Sequence, residues 1–226
     1  MNSQILTNIN TFIKKRLIEL SGILLLIISV FLFATIISYS PTDPNFIYNT
    51  ENTEIKNIGG FYGSVMSDFL LQSFGLISFL FSLNFFYWGI KLTTQKIINN
   101  FITKVFFIFV YIIFGTTTLN LLYNDSFWLI DNGNGGFVGR IIKENIYYFA
   151  PVIENQYVIY SLIILTISFF VLSLSIKLSE ITQIFLFPFI LIKKVIFLFK
   201  KDRKKSFSEL NNLHDEMELN NHKEIN

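Results

Sequence analysis

The fold class of this chain is decided by residues 17–39, which run LIELSGILLLIISVFLFATIISY. A helix rises about 1.5 Å per residue, so a helix of this length crosses a hydrocarbon core of about 30 Å. The one acid of the stretch, Glu19, lies at its edge, beside the basic residues Lys14, Lys15 and Arg16. Residues 17–39 are therefore predicted to form a membrane-spanning helix.

Three further apolar stretches have the same character, at residues 69–90, 105–123 and 157–176. The sequence thus predicts an all-α integral membrane protein with four transmembrane helices. The first stretch follows a short basic segment, as in a cleavable signal peptide. However, its apolar part exceeds the roughly 7 to 15 residues of a signal peptide, and the small-x-small cleavage pattern is missing after it. The first stretch is predicted to be retained as a helix.

The composition excludes an ordinary soluble protein. Of 226 residues, 52% are hydrophobic and 17% aromatic, and the mean hydropathy is +0.51. These values lie well above those of soluble domains. The formal net charge of +2 does not indicate a nucleic-acid-binding surface. The absence of cysteine excludes disulfides, thiolate metal sites and cysteine nucleophiles from the 226 residues.

A fifth apolar stretch, residues 184–199, is interrupted by Pro188 and by Lys193 and Lys194. Burying two lysines near the middle of a span costs roughly 2.5 to 3.5 kcal/mol each. A helix along the membrane surface avoids this cost, because lysine side chains can extend toward anionic headgroups. We therefore favour a basic interfacial helix within residues 177–205 over a fifth span.

The positions of lysine and arginine predict the orientation, because such residues near helix ends are retained in the cytoplasm. With four spans, one side receives Lys14, Lys15, Arg16, Lys91, Lys96, Lys104 and the basic cluster from Lys177 to Lys205. The other side receives only Lys56, Arg140 and Lys143. Both termini are therefore predicted to be cytoplasmic.

This orientation divides the chain into four predicted regions. They are a cytoplasmic N-terminus (1–16), a four-helix transmembrane domain (17–176) with outer loops 40–68 and 124–156, the interfacial helix (177–205), and a tail (206–226) that is disordered or begins a linker. The basic run at residues 200–205 directly follows a membrane segment, which favours contact with anionic lipid headgroups over DNA.

The outer loops contain two related motifs. The first loop begins SYSPTDP at residues 38–44, where two prolines disfavour a continued helix. The octet GGFYGSVM (59–66) in the first loop is identical to GGFVGRII (135–142) in the second at four positions. The first two helices are thus either related to the last two as parallel repeats, or the glycines independently mark turns before helix starts.

Catalytic and binding motifs are missing from the sequence. No Gly-Lys dipeptide exists for a phosphate-binding P-loop, and Val138 replaces the third glycine of a dinucleotide-binding pattern at residues 133–138. His214 and His222 lie in the polar tail without metal-ligand spacing. A transport pathway requires an acid or a base near the centre of a span, and no span contains one. We predict no catalytic, cofactor-binding or metal-binding residues, no cofactor and no enzymatic activity in this chain.

Polar residues within the spans are predicted to bind neighbouring helices. Hydrogen bonds of this kind are worth roughly 0.6 to 2 kcal/mol each in lipid. The candidates are Asn84, Asn120 and Thr116–Thr118. Ser78 and Ser82 form a small-xxx-small step that allows close helix approach.

The order of these features resembles the membrane-anchoring N-terminal domain of FtsK/SpoIIIE-type bacterial DNA translocases. The resemblance covers roughly residues 15 to 205 and rests on the segments LIE (17–19), SYSPTDP (38–44), IGGFYGS (58–64), GGFVG (135–139) and LSEI (178–181). The two motifs of the first outer loop are fairly specific for it. The others are consistent with it.

The resemblance implies a four-span anchor in the bacterial inner membrane, at the division septum, acting in cell division and chromosome segregation. Such an anchor is expected to form homo-oligomers and to contact other division-site membrane proteins, and DNA only indirectly through a motor domain. Residues 1–226 contain no Walker motif and no winged-helix domain. ATPase and translocase activity are therefore not assigned to them, and the chain is a fragment, the product of a split gene or a stand-alone anchor.

Two other classes of function stay open at this point. One is a small oligomeric transporter or channel subunit, although the spans lack a central polar constellation. The other is a stand-alone membrane scaffold, or a sensor that reads the outside through its two loops.

Overall fold

The computed structural model describes residues 2–45, 54–126, 128–129, 131–176 and 193. These residues form six α-helices, one short 3-10 helix and no strand, which confirms the all-α fold class for this part of the chain. The helices are α1 (Asn2–Ile37), α2 (Gly60–Phe74), α3 (Ile77–Thr94), α4 (Phe101–Leu122), α5 (Gly136–Phe149) and α6 (Gln156–Ser173), with the 3-10 helix η1 at Pro151–Glu154. All belong to one compact unit, Met1–Ser175.

The described helices provide three or four candidate membrane spans. Helices α1, α4 and α6 are each long and apolar enough to cross a membrane. Helices α2 and α3 pass the same test only as a pair, and this pair is bent by 116°. In place of the single helix predicted for residues 69–90, the structure therefore has two helices with a sharp break between them.

The break occurs at Gly75, which has φ 58° and ψ −144°. This combination is accessible essentially to glycine alone. It turns the chain so that the amide of Leu76 donates to the carbonyl of Asn134 (3.0 Å) instead of continuing the helix. The hydroxyl of Ser78 then donates to the carbonyl of Leu70 (2.7 Å) and closes the corner.

Helices α1 and α3 form one tightly packed antiparallel pair. The hydroxyl of Ser29 donates to the carbonyl of Ser82 (2.8 Å), and that of Ser82 donates to the carbonyl of Ser29 (3.0 Å). Reciprocal bonds of this kind require backbones in close contact, which small residues permit. Ser82 thus has the role predicted for it, and its partner on α1 is Ser29.

Helices α4 and α6 form the second antiparallel pair, which is held mainly by aromatic rings. Phe107 and Phe114 both contact Phe169, and Tyr111 meets Phe170 edge to face with centroids 5.4 Å apart. Edge-to-face geometry suits the ring quadrupoles.

The polar residues of α4 do not make the interhelical bonds predicted for them. The hydroxyls of Thr116, Thr117 and Thr118 donate to carbonyls three or four residues earlier in the same helix, a common alternative partner for threonine. Asn120 donates to the side chain of Asn124, four residues later. The prediction was therefore wrong for these residues, and it holds for Asn84, whose amide donates to Ser173 on α6.

The two glycine octets occupy equivalent places in the fold. Gly59 and Gly135 precede α2 and α5, and the following residues, Gly60 and Gly136, both have positive φ (61° and 65°). Each octet packs against a threonine of the preceding long helix: Gly59 and Gly63 against Thr35, Gly135 and Gly139 against Thr116. The succession of long, short and long helix thus occurs twice, as α1–α2–α3 and α4–α5–α6.

The basic end of α1 differs from the prediction in one respect. The helix begins at Asn2 rather than at the start of the apolar stretch, so residues 2–16 continue the first span as helix. Glu19 pairs with Arg16 (2.6 Å) and Lys96 (2.5 Å). The predictions for residues 177–226, including the interfacial helix, the tail and both histidines, lie outside the described residues apart from Lys193.

Candidate functional site

The two motifs of the first loop fold into one interlocked structure. Ser40 accepts a backbone bond from the amide of Asp43 (3.1 Å), which forms the turn between the two prolines. The Asp43 carboxylate is buried and accepts from the backbone amides of Lys56 (3.1 Å) and Asn57 (2.8 Å). A carboxylate that accepts backbone amides makes charge-assisted hydrogen bonds. The aspartate of the SYSPTDP motif therefore holds the segment that leads into the glycine octet.

Asn57 is the central residue of this loop. Only 4% of its surface is exposed. Its side-chain amide donates to the carbonyl of Thr35 (2.8 Å) and to the hydroxyl of Ser67 (3.1 Å), and its side-chain oxygen accepts from the amide of Gly59 (2.9 Å). Thr35 lies in the last turn of α1, where carbonyls lack helical partners. Asn57 thus supplies a hydrogen-bond donor to a carbonyl at the end of α1 and fixes the backbone at the start of α2.

The sequence analysis did not single out Asn57. A signal was present, because asparagine two residues before a glycine pair is typical of a turn closed by the asparagine side chain. Two serines complete the same structure. Ser38 accepts from the amide of Ile58 (3.0 Å), and Ser64 donates to the carbonyl of Pro44 (2.8 Å).

A network of hydrogen-bonded polar side chains connects the first loop to the second. The Asp68 carboxylate accepts from the hydroxyl of Tyr39 (3.2 Å) and the amide of Asn45 (3.0 Å). Gln72 donates to the same tyrosine hydroxyl (3.2 Å) and accepts from Asn132 of the second loop (2.7 Å). The two loops therefore form one continuous polar surface.

Burial shifts the pKa of two residues of this network. Asp68 lies on α2 and Tyr39 follows the end of α1, so both lie beyond the long helices. Desolvation raises the pKa of Asp68, although its three hydrogen-bonding neighbours oppose the rise. Desolvation also raises the pKa of Tyr39 to about 12, so the tyrosine stays a neutral donor to the carboxylate at neutral pH.

The second loop contains a small polar cavity. The side-chain amide of Asn134 holds the loop by donating to the carbonyls of Tyr123 (3.1 Å) and Asp125 (2.9 Å). The cavity has a volume of about 240 Å³ and is lined by Asn124, Asp125, Ser126, Leu129, Asp131, Asn132, Gly133 and Arg140. Arg140 donates to the backbone carbonyl of Asp131 (3.2 Å).

The described polar side chains of the two loops are engaged mainly in hydrogen bonds that hold the loops together. In the described ranges, His, Cys, Asp and Glu nowhere gather into a group of three or more that could hold a metal ion. The lining of the cavity is mainly amides, two carboxylates, one hydroxyl and one guanidinium, all of which can form hydrogen bonds. We name residues 38–45, 54–74 and 123–155, as far as they are described, the loop face.

The opposite end of the bundle binds the last turn of α6. The amines of Lys91 and Lys104 donate to the carbonyls of Ser175 and Leu172, and the indole of Trp88 donates to the carbonyl of Ser173 (3.0 Å). Cations are favourable at a helix C-terminus, where carbonyls lack partners. The sequence analysis used both lysines only as markers of orientation, because their distant acceptors could not be identified from sequence.

The chain is similar in sequence to one known family and to several bacterial proteins. The family described as the 4TM region of DNA translocase FtsK/SpoIIIE matches residues 14–183. A protein named DNA translocase FtsK from Rickettsia bellii is 30% identical over 162 residues, which are 71% of this chain and 21% of that protein. Its namesake from Rickettsia prowazekii is 32% identical over 127 residues (56% and 16%), and that from Rhizobium meliloti is 26% identical over 131 residues (58% and 15%).

The matched range contains both loop motifs and all the described helices from residue 14 onward. The chain spans about a fifth or less of the length of these relatives. No solved structure matches it.

Proposed function

Because the chain belongs to the family of 4TM regions of FtsK/SpoIIIE DNA translocases, we propose that it serves cell division and chromosome segregation by holding a DNA translocase at the division septum. It is the membrane-anchor part of such a translocase and a protein of the bacterial inner membrane. The observation that supports the proposal best is the family match, which includes both motifs that build the loop face.

The proposed topology has four spans, α1, α3, α4 and α6, with both ends of the unit in the cytoplasm. The distribution of charge supports it. Lys96 pairs with Glu19 near the start of α1, and Lys91 and Lys104 bind the last turn of α6, so three lysines lie at the end of the bundle opposite the loop face. Lysines near helix ends are retained on the cytoplasmic side. The loop face then lies outside the cytoplasm.

Division of labour within the translocase is part of the proposal. Residues 1–226 anchor and do not catalyse, while ATP hydrolysis and DNA contact belong to other parts of a translocase. The absence of a Gly-Lys dipeptide from the 226 residues supports this assignment. The last turn of α6, held by two lysines and a tryptophan, is the point at which the anchor passes into residues 177–226.

The loop face is the proposed contact surface for other division-site membrane proteins and for further copies of this chain, while residues 177–205 are proposed to meet anionic lipid headgroups. The continuous polar surface of the loop face supports its proposed use as a contact surface. The network from Asn45 through Asp68, Tyr39 and Gln72 to Asn132 places amides, a carboxylate and a phenol side by side across both loops. Preorganised polar groups of this kind give specificity to an interface.

The topology can be tested without background substitutions, because the chain has no cysteine. Asp125→Cys on the loop face and Asn99→Cys between α3 and α4 replace exposed residues. In spheroplasts, a membrane-impermeant maleimide is expected to label the cysteine at 125, and to label that at 99 only after lysis. The reverse pattern, or equal labelling of both before lysis, contradicts the proposed orientation.

The proposed site of action is tested by a fluorescent fusion of the full chain in Rhizobium meliloti. We expect a band at midcell in dividing cells, because the anchor of a septal translocase gathers where the septum forms. An unrelated multispanning membrane protein fused to the same fluorophore serves as the control for uniform membrane staining. Uniform staining by both fusions refutes the septal role and leaves the family membership unaffected.

A further inference from the structure

Helix α5 has two chemically different faces outside its contact with the bundle. Phe137, Ile141 and Tyr148 follow one another at intervals of four and seven residues, which places them on one side of the helix. All three are exposed in the isolated chain. Arg140, Lys143 and Tyr147 lie on a different side, and Glu144, seven residues after Phe137, borders the apolar side. The helix is therefore amphipathic and exposes its apolar side.

The start of α5 lies below the end of α4. Gly139 packs directly on the backbone carbonyl of Thr116, and the Cβ position of Gly135 is 2.7 Å from the same oxygen. Thr116 precedes Leu122, the last residue of α4, by six residues, which corresponds to about 9 Å along the helix. If α4 crosses the membrane, the first turns of α5 lie beside it at a depth that lipid occupies.

The end of α5 is constrained by the start of α6. Helices α4 and α6 are antiparallel: Lys104 binds the carbonyl of Leu172, Phe107 contacts Phe169, and Gly115 packs near Thr166. Continuing this register places the start of α6 level with the end of α4. A helix of 14 residues is about 21 Å long, yet α5 and the short segment 150–155 together connect two levels only about 9 Å apart. It therefore runs close to the membrane plane.

The apolar side of α5 continues onto the lipid-facing surface of α6. Tyr148, Phe149 and Tyr157 are 83%, 81% and 81% exposed, and Val152 and Tyr160 are exposed beside them in sequence. Aromatic side chains concentrate at membrane–water interfaces, where an apolar ring and a polar tip are both satisfied. Exposed aromatic residues thus occur both at the end of the short helix and at the start of the span.

We propose that α5 is an interfacial helix embedded in the lipid leaflet on the loop-face side. Phe137, Ile141 and Tyr148 enter the boundary between headgroups and acyl chains, Arg140 and Lys143 face water, and Glu144 lies at the edge between the two sides. Lys143 forms an ion pair with Glu154 of η1 (3.5 Å), so these two charges are paired on the polar side. Asn145 lies nearer the apolar side, and its amide donates to the carbonyl of Ile141 (2.8 Å), which lowers the cost of placing it there.

The occupant of the apolar side is lipid, because this surface is continuous with the lipid-facing flank of a span and lies at membrane depth. The proposal depends on the membrane location of the chain and is independent of its role in division. It makes the second loop a membrane-bound element rather than one that stands free in solution.

The test uses the full chain in vesicles of phosphatidylethanolamine and phosphatidylglycerol, with single cysteines at Ile141→Cys, Tyr148→Cys and, as the control on the polar side, Tyr147→Cys, which replaces an exposed residue. Each cysteine receives a nitroxide spin label. Collision with oxygen, which concentrates in lipid, is compared with collision with a water-soluble nickel chelate. We expect a ratio of oxygen to nickel collisions several-fold higher at positions 141 and 148 than at 147.

Two results overturn the proposal. Equal, high nickel collision at all three positions means that α5 stands in water. Exclusion of both reagents at 141 and 148 means that protein, such as a second copy of the chain, covers this side. Tyr148 is largely exposed in the structure, so a label there displaces no packed group and position 148 decides the outcome if Ile141→Cys does not fold.

Discussion

Gly75→Ala is expected to prevent folding of the loop face or to destabilise the protein by more than about 4 kcal/mol. A Cβ at this position overlaps the backbone carbonyl of Asn134 and comes within 2.8 Å of the amide of Gly136. Both are main-chain groups, so no side-chain rotation relieves the overlap. The backbone conformation of Gly75 is in addition nearly closed to other residues.

Gly60→Ala is the matched control for this experiment. Gly60 has almost the same φ as Gly75 (61° against 58°), but a Cβ there meets no atom within 4 Å. Its expected cost is the backbone strain alone, about 1 to 2 kcal/mol. The measurement is the thermal midpoint and the monodisperse yield of each variant in detergent. Equal losses for the two variants would show that backbone strain, and not the contact between the helix break and the second loop, sets the cost.

Asn57→Ala is expected to destabilise the protein by about 3 kcal/mol. The substitution removes a hydrogen-bond partner from each of three groups: the carbonyl of Thr35, the hydroxyl of Ser67 and the amide of Gly59. Thr35 and Ser67 are fully buried, so water cannot replace the lost bonds without opening the loop. The variant should also expose the junction between α1 and α2 to protease before global unfolding.

Asn145→Ala is the control, since Asn145 is exposed and its amide binds a carbonyl of its own helix. A change within about 0.5 kcal/mol is expected for it, as for most surface substitutions. Thermal unfolding in detergent and limited proteolysis compare the two variants. If Asn57→Ala unfolds at the temperature of the unsubstituted protein, the buried asparagine does not hold the first loop together and the account of the motifs given above is wrong.

The helix break shows why part of this fold could not be predicted. Residues 69–90 are apolar on both sides of Gly75, and an isolated glycine is tolerated in membrane helices. The bend exists because Leu76 finds the carbonyl of Asn134, which lies 58 residues later in the chain. Nothing in the local sequence specifies that acceptor.

The polar residues likewise divide into those whose role could be predicted from the sequence and those whose role could not. Ser82 was predicted to allow close helix approach, and the residue type alone supports that expectation, because a small side chain is a local property. Asn57 and Trp88 were not predicted, since the value of each depends on buried acceptors in other helices. The threonines of α4 were predicted to bond between helices and instead bind their own helix, because the carbonyls three and four residues earlier are always within reach.

The sequence by itself determined the helical class, the approximate positions of the apolar segments, the asymmetry of charge between the two ends and the family resemblance. These properties depend on the transfer of individual residues into lipid and on motifs a few residues long, both of which are local. The tertiary structure alone decided the corner at Gly75, the interlocking of the two loops, the binding of the last turn of α6 by Trp88, Lys91 and Lys104, and the level at which α5 crosses α4. Each of these depends on which distant backbone group lies within hydrogen-bonding or packing distance, and only the folded chain brings such groups together.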